Sequence, residues 1–480
     1  MTGLLAGTTG LLIDGQWEPS RAELAVLDKY TREQIAGLAQ ASPADVGRAV
    51  TGAVAAAQRP LPPARRQDIL AGAAELLDAR RDEIGALYVA ETGFTPADAA
   101  TELTRAVATL RLSAGEAVRI AGQEIPVAAT PGSENRLAFT IRVPVGVVAA
   151  ITPFNAPLNT VLHKVGPAIA AGNAVVLKPA EQTPLCSVAL AQVLLDAGLP
   201  PGFLQLVCGP GESTGAALVA DRRVRFFTFT GSAATGLAIK QNSGIAKTHL
   251  ELGSNSASIV AADADLDLVT DLVIRAGYRK AGQVCTSVQR LLVHHSVLDE
   301  LAGRLAKRVA GLRAGDPRDP AVQVGPLIAP AEAERAQRWI QQAAGGGASI
   351  LTGGERDGPV LAPALLRDPP PDSRIMTEEI FAPAVALAGV ASLDEAIGVV
   401  NGSEYGLQAG VFTQDLDAAF HAARQLRVGG VMINDTSSYH ADAMPYGGVK
   451  DSGYGLEGPR YAVQDMTDPR IIVLNLRERP

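Results

Sequence analysis

Val145-Gly146-Val147-Val148-Ala149-Ala150-Ile151 and, after a loop and a helix-length stretch, Ala174-Val175-Val176-Leu177-Lys178-Pro179 form the passage on which the fold turns. Each is a short, continuous apolar run bounded by turn residues, the pattern of a strand buried on both faces of a parallel sheet. Taken as one piece, residues 143–162 are uncharged and long enough to imitate a membrane span. Pro144, Pro153, Asn155, Pro157 and Asn159 would break such a helix repeatedly. A buried strand, a loop and a helix beginning near Pro157 is the better reading. Outward from there the alternation continues, with strands expected at 204–207 and 225–229 and helices starting near Pro184, Glu212 and Ala233. That alternation predicts a parallel sheet covered by helices on both faces.

On the N-terminal side, Ile69, Leu70, Ala73, Leu76, Leu77, Ile84, Leu87 and Tyr88 recur at helical spacing, which predicts one helix over 64–90 ended near Gly93. A second helix is expected over 102–119. Beyond Glu251 the pattern repeats: apolar runs at 258–260, 291–293, 385–387 and 410–412 alternate with helices such as 299–312 and 331–343. This predicts a second α/β domain. The final apolar segment, 470–476, reads as a strand that pairs with 138–143 in an arm outside both domains, an arrangement suited to a subunit interface.

At 480 residues, with 47% hydrophobic, 19% charged and 4% aromatic residues, the chain should form two or three well-cored domains. The net charge of −8 is spread along the chain and no Lys/Arg block occurs, so no nucleic-acid partner is expected. Cys186, Cys208 and Cys285 are an odd set without metal-ligand spacing. They imply a reducing, cytoplasmic setting with neither a disulfide framework nor a metal site. No basic region precedes an apolar core at the N-terminus, so no secretory signal is read.

Chemistry concentrates in three places. Cys285 lies in the Gly-punctuated turn Gly282-Gln283-Val284-Cys285-Thr286-Ser287, where backbone N–H groups favour a thiolate. Alone it reads as a buried structural cysteine. Glu251-Leu252-Gly253-Ser254-Asn255 and Pro153-Phe154-Asn155 add a base and an amide donor for a developing oxyanion. Alone, Asn155 reads as a helix cap beside Pro157, and Glu251 as a surface carboxylate; its place between Leu250 and Leu252 favours burial and a tuned pKa. No G-x-G-x-x-G follows a strand, and Gly209-Pro210-Gly211 with Gly215 has the wrong spacing. Lys178-Pro179 directly after an apolar run marks a strand end, where open α/β sheets bind ligands.

Together these segments resemble the aldehyde dehydrogenase superfamily over nearly the whole chain. Lys178-Pro179-Ala180-Glu181, Phe229-Thr230-Gly231-Ser232, Glu378-Glu379-Ile380-Phe381 and Pro445-Tyr446-Gly447-Gly448-Val449-Lys450 follow in the family's order. Within it the chain is most similar to the lactaldehyde and phosphonoacetaldehyde dehydrogenase-like branch. The resemblance implies an NAD(P)-binding domain from 1–125 and 145–252, a catalytic domain over 253–435, and an oligomerisation arm from 126–144 and 464–480, in a homodimer or homotetramer. It implies that Cys285 attacks the aldehyde, that Asn155 and the Cys285 N–H hold the oxyanion, and that Glu251 activates the water that hydrolyses the thioester.

The resemblance also assigns the cofactor cleft. Lys178 and Glu181 meet the adenine-side ribose, with Ala180 and Gly211 beside them. Gly231-Ser232 meets the pyrophosphate after Phe229 and Thr230. Glu379 holds the nicotinamide ribose beside Phe381. Ile151, Thr152, Pro153, Phe154, Leu252 and Gly253 complete the cleft. A ribose-binding Glu181 repels a 2′-phosphate, so NAD is favoured, with NADP as the second candidate. Ser254, Asn255, Phe154 and Ala382 depart from the family's usual residues without removing a chemical role. By alignment of motifs, Arg105, His163, Val284, Thr286, His440 and Tyr446 line the aldehyde pocket. An arginine and two histidines suggest a small polar or anionic aldehyde; Val284 tempers this, because phosphonate-using relatives tend to carry arginine there. The bland alternative makes Arg105 a helix-surface charge and His163 a core residue. A coenzyme A-acylating dehydrogenase and a cofactor-independent cysteine esterase or scaffold are the competing functions. The first commonly lacks a base at the Glu251 position, and the second has no use for Lys178 and Glu379.

Overall fold

A computed structural model describes residues 7–476. At the centre of its first sheet five strands run parallel, in the order Leu204–Leu206, Ala174–Lys178, Val147–Ile151, Phe226–Thr230 and Lys247–Glu251. Val147–Ile151 and Ala174–Lys178 are buried at every position, as continuous apolar runs between two helical layers must be. From Val147–Ile151 the chain steps outward to Ala174–Lys178 and Leu204–Leu206, then returns to lay Phe226–Thr230 on the other side. The strand order reverses there, and a ligand crevice opens at the carboxyl ends of strands at such a reversal. Antiparallel strands close the edges, Leu11–Ile13 and Gln16–Glu18 at one side and Gly453–Tyr454 at the other.

The second sheet runs Ser349–Thr352, Ala364–Arg367, Ala384–Val390, Arg290–His294, Ala257–Val260, Gln408–Phe412, Gly430–Ile433, and only Ser349–Thr352 pairs antiparallel. The fold is therefore α/β with two parallel-sheet domains. Thr467–Asn475 pairs antiparallel with Arg136–Pro144 along nine residues, and Glu124–Ile125 adds a third strand. This matches the strand pairing read from the sequence. Leu137, Ile141, Ile471, Val473 and Leu474 remain exposed on that arm. The ends of the sequence partition, 1–6 and 477–480, lie outside the described residues.

Four helix readings need correction. The stretch 64–90 is two helices, Pro63–Ala79 and Arg81–Thr92, separated at Arg80 (φ −100°, ψ 17°). Leu77 and Ile84 are seven residues apart, close to two helical turns, so a one-residue break leaves no mark on the periodicity. The second helix does end at Gly93, which is left-handed at φ 73°. The helix read over 102–119 spans Pro96–Ala117 and starts at a capping box of Thr95 with Asp98. The helix placed at Pro157 begins at Asn159, and the one at Glu212 is a wide turn, Gly211–Gly215, before Ala216–Ala220.

The helices Pro96–Ala117 and Asn159–Ala170 matter most for the site. They meet closely at Gly166, where a Cβ would lie 2.7 Å from Ser113 Oγ. Glu102, Arg105 and Thr109 on one helix thereby face Asn159 and His163 on the other, and Glu102 Oε1 accepts from the Asn159 N–H at 3.0 Å.

Candidate active site

The turn that carries Cys285 is held against its own backbone preference. After helix Leu266–Tyr278, Lys280 (φ 51°) and Ala281 (φ 52°) are left-handed, followed by Gly282 at φ 67°. Each non-glycine residue there costs about 1–2 kcal/mol. Buried contacts offset that cost: Lys280 Nζ pairs with Glu102 at 2.7 Å and donates to the Asn155 carbonyl at 2.9 Å. Gly282 cannot be replaced simply, because a Cβ would lie 2.1 Å from the Ala382 carbonyl oxygen. The Gln283 amide accepts from Ile328 N–H at 2.9 Å and fixes the turn from below. Cys285 is thus presented to the cleft, half-buried, with its Sγ 3.0 Å from the Tyr446 hydroxyl.

The turn does not by itself activate the thiol, as the sequence reading expected. Burial pushes Cys285 up to about 12, the Tyr446 hydrogen bond opposes this, and the charges of Glu379, Glu251 and Glu457 add to it. The thiolate needs a base and a donor.

Both are adjacent. Glu251, at the carboxyl end of strand Lys247–Glu251, is 2% exposed. Its Oε1 lies 3.1 Å from His249 Nε2, while its Oε2 is buried without a partner. Burial raises Glu251 well above the ordinary carboxylate range, Glu457 adds to this, and Lys164 opposes it. His249 is pushed down to about 4 by burial, so it faces Glu251 as a neutral imidazole. Behind them Lys164 and Glu457 form a buried ion pair at 2.6 Å. Asn155 Nδ2 donates one N–H to the Gln283 carbonyl at 2.8 Å, which orients the amide and leaves its second N–H for a ligand.

The far end of the cleft suits a dinucleotide. Ile151 pairs in register with Lys178, and Thr230 with Glu251, so these strands end level with one another. Lys178 is not a solvated strand end: it is 4% exposed, and among the described residues its Nζ hydrogen-bonds only the Pro179 carbonyl, at 3.3 Å. The hydroxyls of Thr152 and Thr230 are buried without partners. A Cβ on Gly231 would lie 2.4 Å from the Phe229 ring, so the chain passes bare into helix Ala233–Asn242, capped by Ser232. Its free N–H groups suit a phosphate. Glu181 Oε1 accepts from the Gly211 N–H at 2.7 Å, with Ala180 beside it. Glu379 Oε1 accepts from the Ser254 N–H at 2.9 Å, and burial raises Glu379 to about 7. Gly253 leaves room for that carboxylate, since a Cβ would lie 2.6 Å from Glu379 Oε2. Phe154 and Phe381 meet edge to face, centroids 5.8 Å apart, and Pro153 and Leu252 complete the apolar lining. Asn255 is a structural junction: its side-chain oxygen accepts from Arg290 Nη2 and Ser403 Oγ.

At the other end of the cleft, beyond Cys285, the structure gathers Arg105, His163 and His440 around a residue the sequence reading missed. Asp442 Oδ1 accepts from Arg105 Nη2 at 2.7 Å and Asn159 Nδ2 at 2.8 Å, and lies 3.0 Å from His163 Nε2. Burial would raise Asp442, but the His163 and Arg105 hydrogen bonds hold it below the usual carboxylate range. Arg105 is therefore not a free surface charge, and it also meets His440 Nδ1. His163 is a buried, hydrogen-bonded residue in the pocket wall. Burial, with the Arg105 charge, pushes His440 down to about 3, so it is neutral. Its ring lies 4.5 Å from that of Tyr446. Val284 and Thr286 flank Cys285 in the wall. Arg279 was also missed. It lines the same cavity, its guanidinium donates to Ser438 Oγ at 2.9 Å, and among the described residues no carboxylate pairs with it. Arg279 stands in the last turn before the glycine, and Asp442 two residues after His440, so both were adjacent to residues already singled out.

Two α/β domains, a cysteine beside a buried carboxylate, and a dinucleotide-shaped cleft define the class, and comparison with known proteins agrees. The sequence matches the aldehyde dehydrogenase family over residues 17–472. The 3-sulfolactaldehyde dehydrogenase of Priestia megaterium is 47% identical over 467 residues, 97% of this chain and 98% of its own. The lactaldehyde dehydrogenase of Methanococcus maripaludis is 35% identical over 472 residues, 97% and 100% of the two chains. The crystal structure of NADP-dependent glyceraldehyde-3-phosphate dehydrogenase from Bacillus halodurans, complexed with NADP, has a TM-score of 0.95 at 35% identity, covering 98% and 99%. The chain belongs to the aldehyde dehydrogenase family, and it is an oxidoreductase acting on aldehydes.

Proposed function

We propose that this enzyme oxidises a small anionic aldehyde to its carboxylic acid by a hydrolytic route, with NAD as hydride acceptor and NADP as the second choice. One observation carries the reading: a single cavity of about 1480 Å³ runs from Lys178 and Ser232 past Glu379 to Cys285, Glu251 and Arg279. Bound there, an oxidised nicotinamide dinucleotide supplies the acceptor for the hydride.

The protein's own groups do the rest. Glu251, once ionised, takes the Cys285 proton directly or through water, and the sulfur forms a bond to the aldehyde carbon. The carbonyl electron pair moves to oxygen, where the second Asn155 N–H and the Cys285 N–H stabilise it. Each well-placed donor contributes roughly 3 kcal/mol. Departure of hydride from the thiohemiacetal carbon leaves a thioester on Cys285. Glu251 passes the Cys285 proton on to solvent, and its Oε2, buried and without a partner among the described residues, is suited to take a proton from the hydrolytic water, whose oxygen displaces the sulfur as thiolate. A base in that position favours hydrolysis over transfer to coenzyme A.

Arg279 supports the anionic substrate better than Arg105 does. The Arg105 charge is compensated by Asp442, whereas the Arg279 guanidinium, among the described residues, hydrogen-bonds only the Ser438 hydroxyl. A carboxylate, sulfonate or phosphonate on the aldehyde would find a guanidinium free to pair. The Priestia enzyme's sulfonated aldehyde fits this chemistry. The exposed apolar arm of Thr467–Asn475 and Arg136–Pro144 favours a homodimer or homotetramer, and three free cysteines suit the cytoplasm.

The test is formation of reduced nicotinamide from NAD and NADP with 3-sulfolactaldehyde, succinic semialdehyde, phosphonoacetaldehyde, lactaldehyde and hexanal. Turnover should favour an anionic member, release free acid without coenzyme A, and fall by roughly 10⁴-fold or more in Cys285→Ala while dinucleotide binding persists. Preference for hexanal would sink the anionic reading, and an obligate need for coenzyme A would sink the hydrolytic one.

A further inference from the structure

We infer that Tyr446 is a catalytic residue, its hydroxyl donating a hydrogen bond to the Cys285 sulfur and holding the attacking thiolate; this rests on Cys285 being the nucleophile. Sequence reasoning placed Tyr446 only in the pocket wall. The geometry asks more of it. The phenol oxygen lies 3.0 Å from Sγ, and among the described residues neither group has another hydrogen-bond partner. A phenol carries one proton, and a thiolate can only accept. When Cys285 ionises, the bond has a single direction, from oxygen to sulfur.

The hydroxyl is held in place from two sides. The Tyr446 backbone exchanges hydrogen bonds with Glu457, N–H to carbonyl at 3.2 Å and the reverse at 2.6 Å. The ring packs at 4.5 Å against His440, which Arg105 fixes through Nδ1 and Asp442 fixes in turn through Arg105. Arg105, His440 and Asp442 are thus positioning residues for Tyr446, a role separate from substrate recognition.

The surroundings explain why a donor is needed. Glu251, Glu379 and Glu457 all face the sulfur with charge that opposes a thiolate, and Arg279 is the nearby cation that favours one. His440 is neutral, and Val284 and Thr286 on either side of the cysteine bring no charge. A charge-assisted hydrogen bond from Tyr446 is the direct contact that favours the ionised sulfur.

The experiment measures alkylation of Cys285 by iodoacetamide across pH, read by peptide mass spectrometry, in the full-length protein and in Tyr446→Phe. The variant keeps the ring and loses the hydroxyl. Alkylation near neutral pH should slow about 10- to 100-fold, with NAD affinity unchanged. Site-specific 2,3-difluorotyrosine at position 446 supplies a stronger donor in the same shape, and should move the alkylation midpoint to lower pH. If Tyr446→Phe and the fluorinated protein both alkylate as wild type does, Tyr446 is a wall residue and the inference fails. If Tyr446→Phe does not fold, the fluorinated protein alone decides. Cys285→Ala separates the two claims. Turnover surviving in that variant overturns the nucleophile assignment, while an altered Cys285 alkylation profile would still establish the hydrogen bond.

Discussion

At the dinucleotide end of the cleft most of the groups sit at the carboxyl ends of neighbouring parallel strands, fixed by sheet register: Ile151 opposite Lys178, Thr230 opposite Glu251. At the aldehyde end the groups arrive separately, Arg105 and His163 from two helices, Arg279 from a left-handed turn, His440, Asp442 and Tyr446 from one loop. The first end is a row of nearly independent contacts. The second is a network in which one carboxylate, Asp442, satisfies three donors at once. Substitutions at the first end should act locally, and those at the second should spread, because removing one partner strands the others' charge or hydrogen bonds.

Glu251 belongs to both ends and tests where they join. It ends a strand of the first sheet, yet in the proposed route its buried Oε2 serves the thioester at the second. In Glu251→Gln the steady-state rate should fall by roughly 10²–10⁴-fold, and the first-turnover burst of reduced nicotinamide should slow as well, because the same carboxylate takes the Cys285 proton. A burst at the wild-type rate would confine Glu251 to thioester hydrolysis. The carboxyl is raised well above its ordinary range by burial, and only its ionised form acts as a base. The rate of thioester hydrolysis should therefore rise with pH through a midpoint above the usual carboxylate range, and that limb should vanish in Glu251→Gln.

The same contrast decides what the sequence disclosed. The parallel strands, their repeat after Glu251 and the arm strand were legible because buried strands are short, continuous and apolar, and turn residues bound them. Cys285, Glu251, Asn155, Lys178 and Glu379 were legible because each lies in a local motif. Asp442, Arg279 and His249 were not. Their meaning comes from partners such as Arg105, 337 residues distant from Asp442 in the chain, and no periodicity or motif carries such a pairing. The charge of Arg105 could be read; its compensation could not. The break at Arg80 was hidden for a different reason, since the apolar stripes on either side stay in phase across it.

That compensation sets the next prediction. Arg279→Ala should lower kcat/KM for an anionic aldehyde by about 10- to 100-fold, the worth of one charge-assisted hydrogen-bonded pair, and barely alter a neutral aldehyde. Arg105→Ala should instead damage both substrates alike and lower stability by about 1–3 kcal/mol. That is less than a fully buried pair would lose, because the Arg105 side chain is 27% exposed. Adding Asp442→Ala should restore part of that stability, since the stranded carboxylate goes with it. Selective loss on anionic substrates in Arg105→Ala, with none in Arg279→Ala, would reverse the assignment.

The smallest effect is expected at the dinucleotide end, where contacts are local. Glu181 is tied through one oxygen to the Gly211 N–H, so its carboxylate is fixed where a ribose would lie. Glu181→Gln keeps an acceptor for that N–H and removes the charge. Repulsion of a 2′-phosphate by one solvent-screened carboxylate is near 1 kcal/mol, so the NADP-to-NAD ratio of kcat/KM should rise by about 5- to 10-fold. Aldehyde preference should not move, because nothing at this end is wired to Asp442. A changed aldehyde preference in Glu181→Gln would mean that the two ends are coupled after all, and an unchanged cofactor ratio would leave Glu181 as a tether for the Gly211–Gly215 turn.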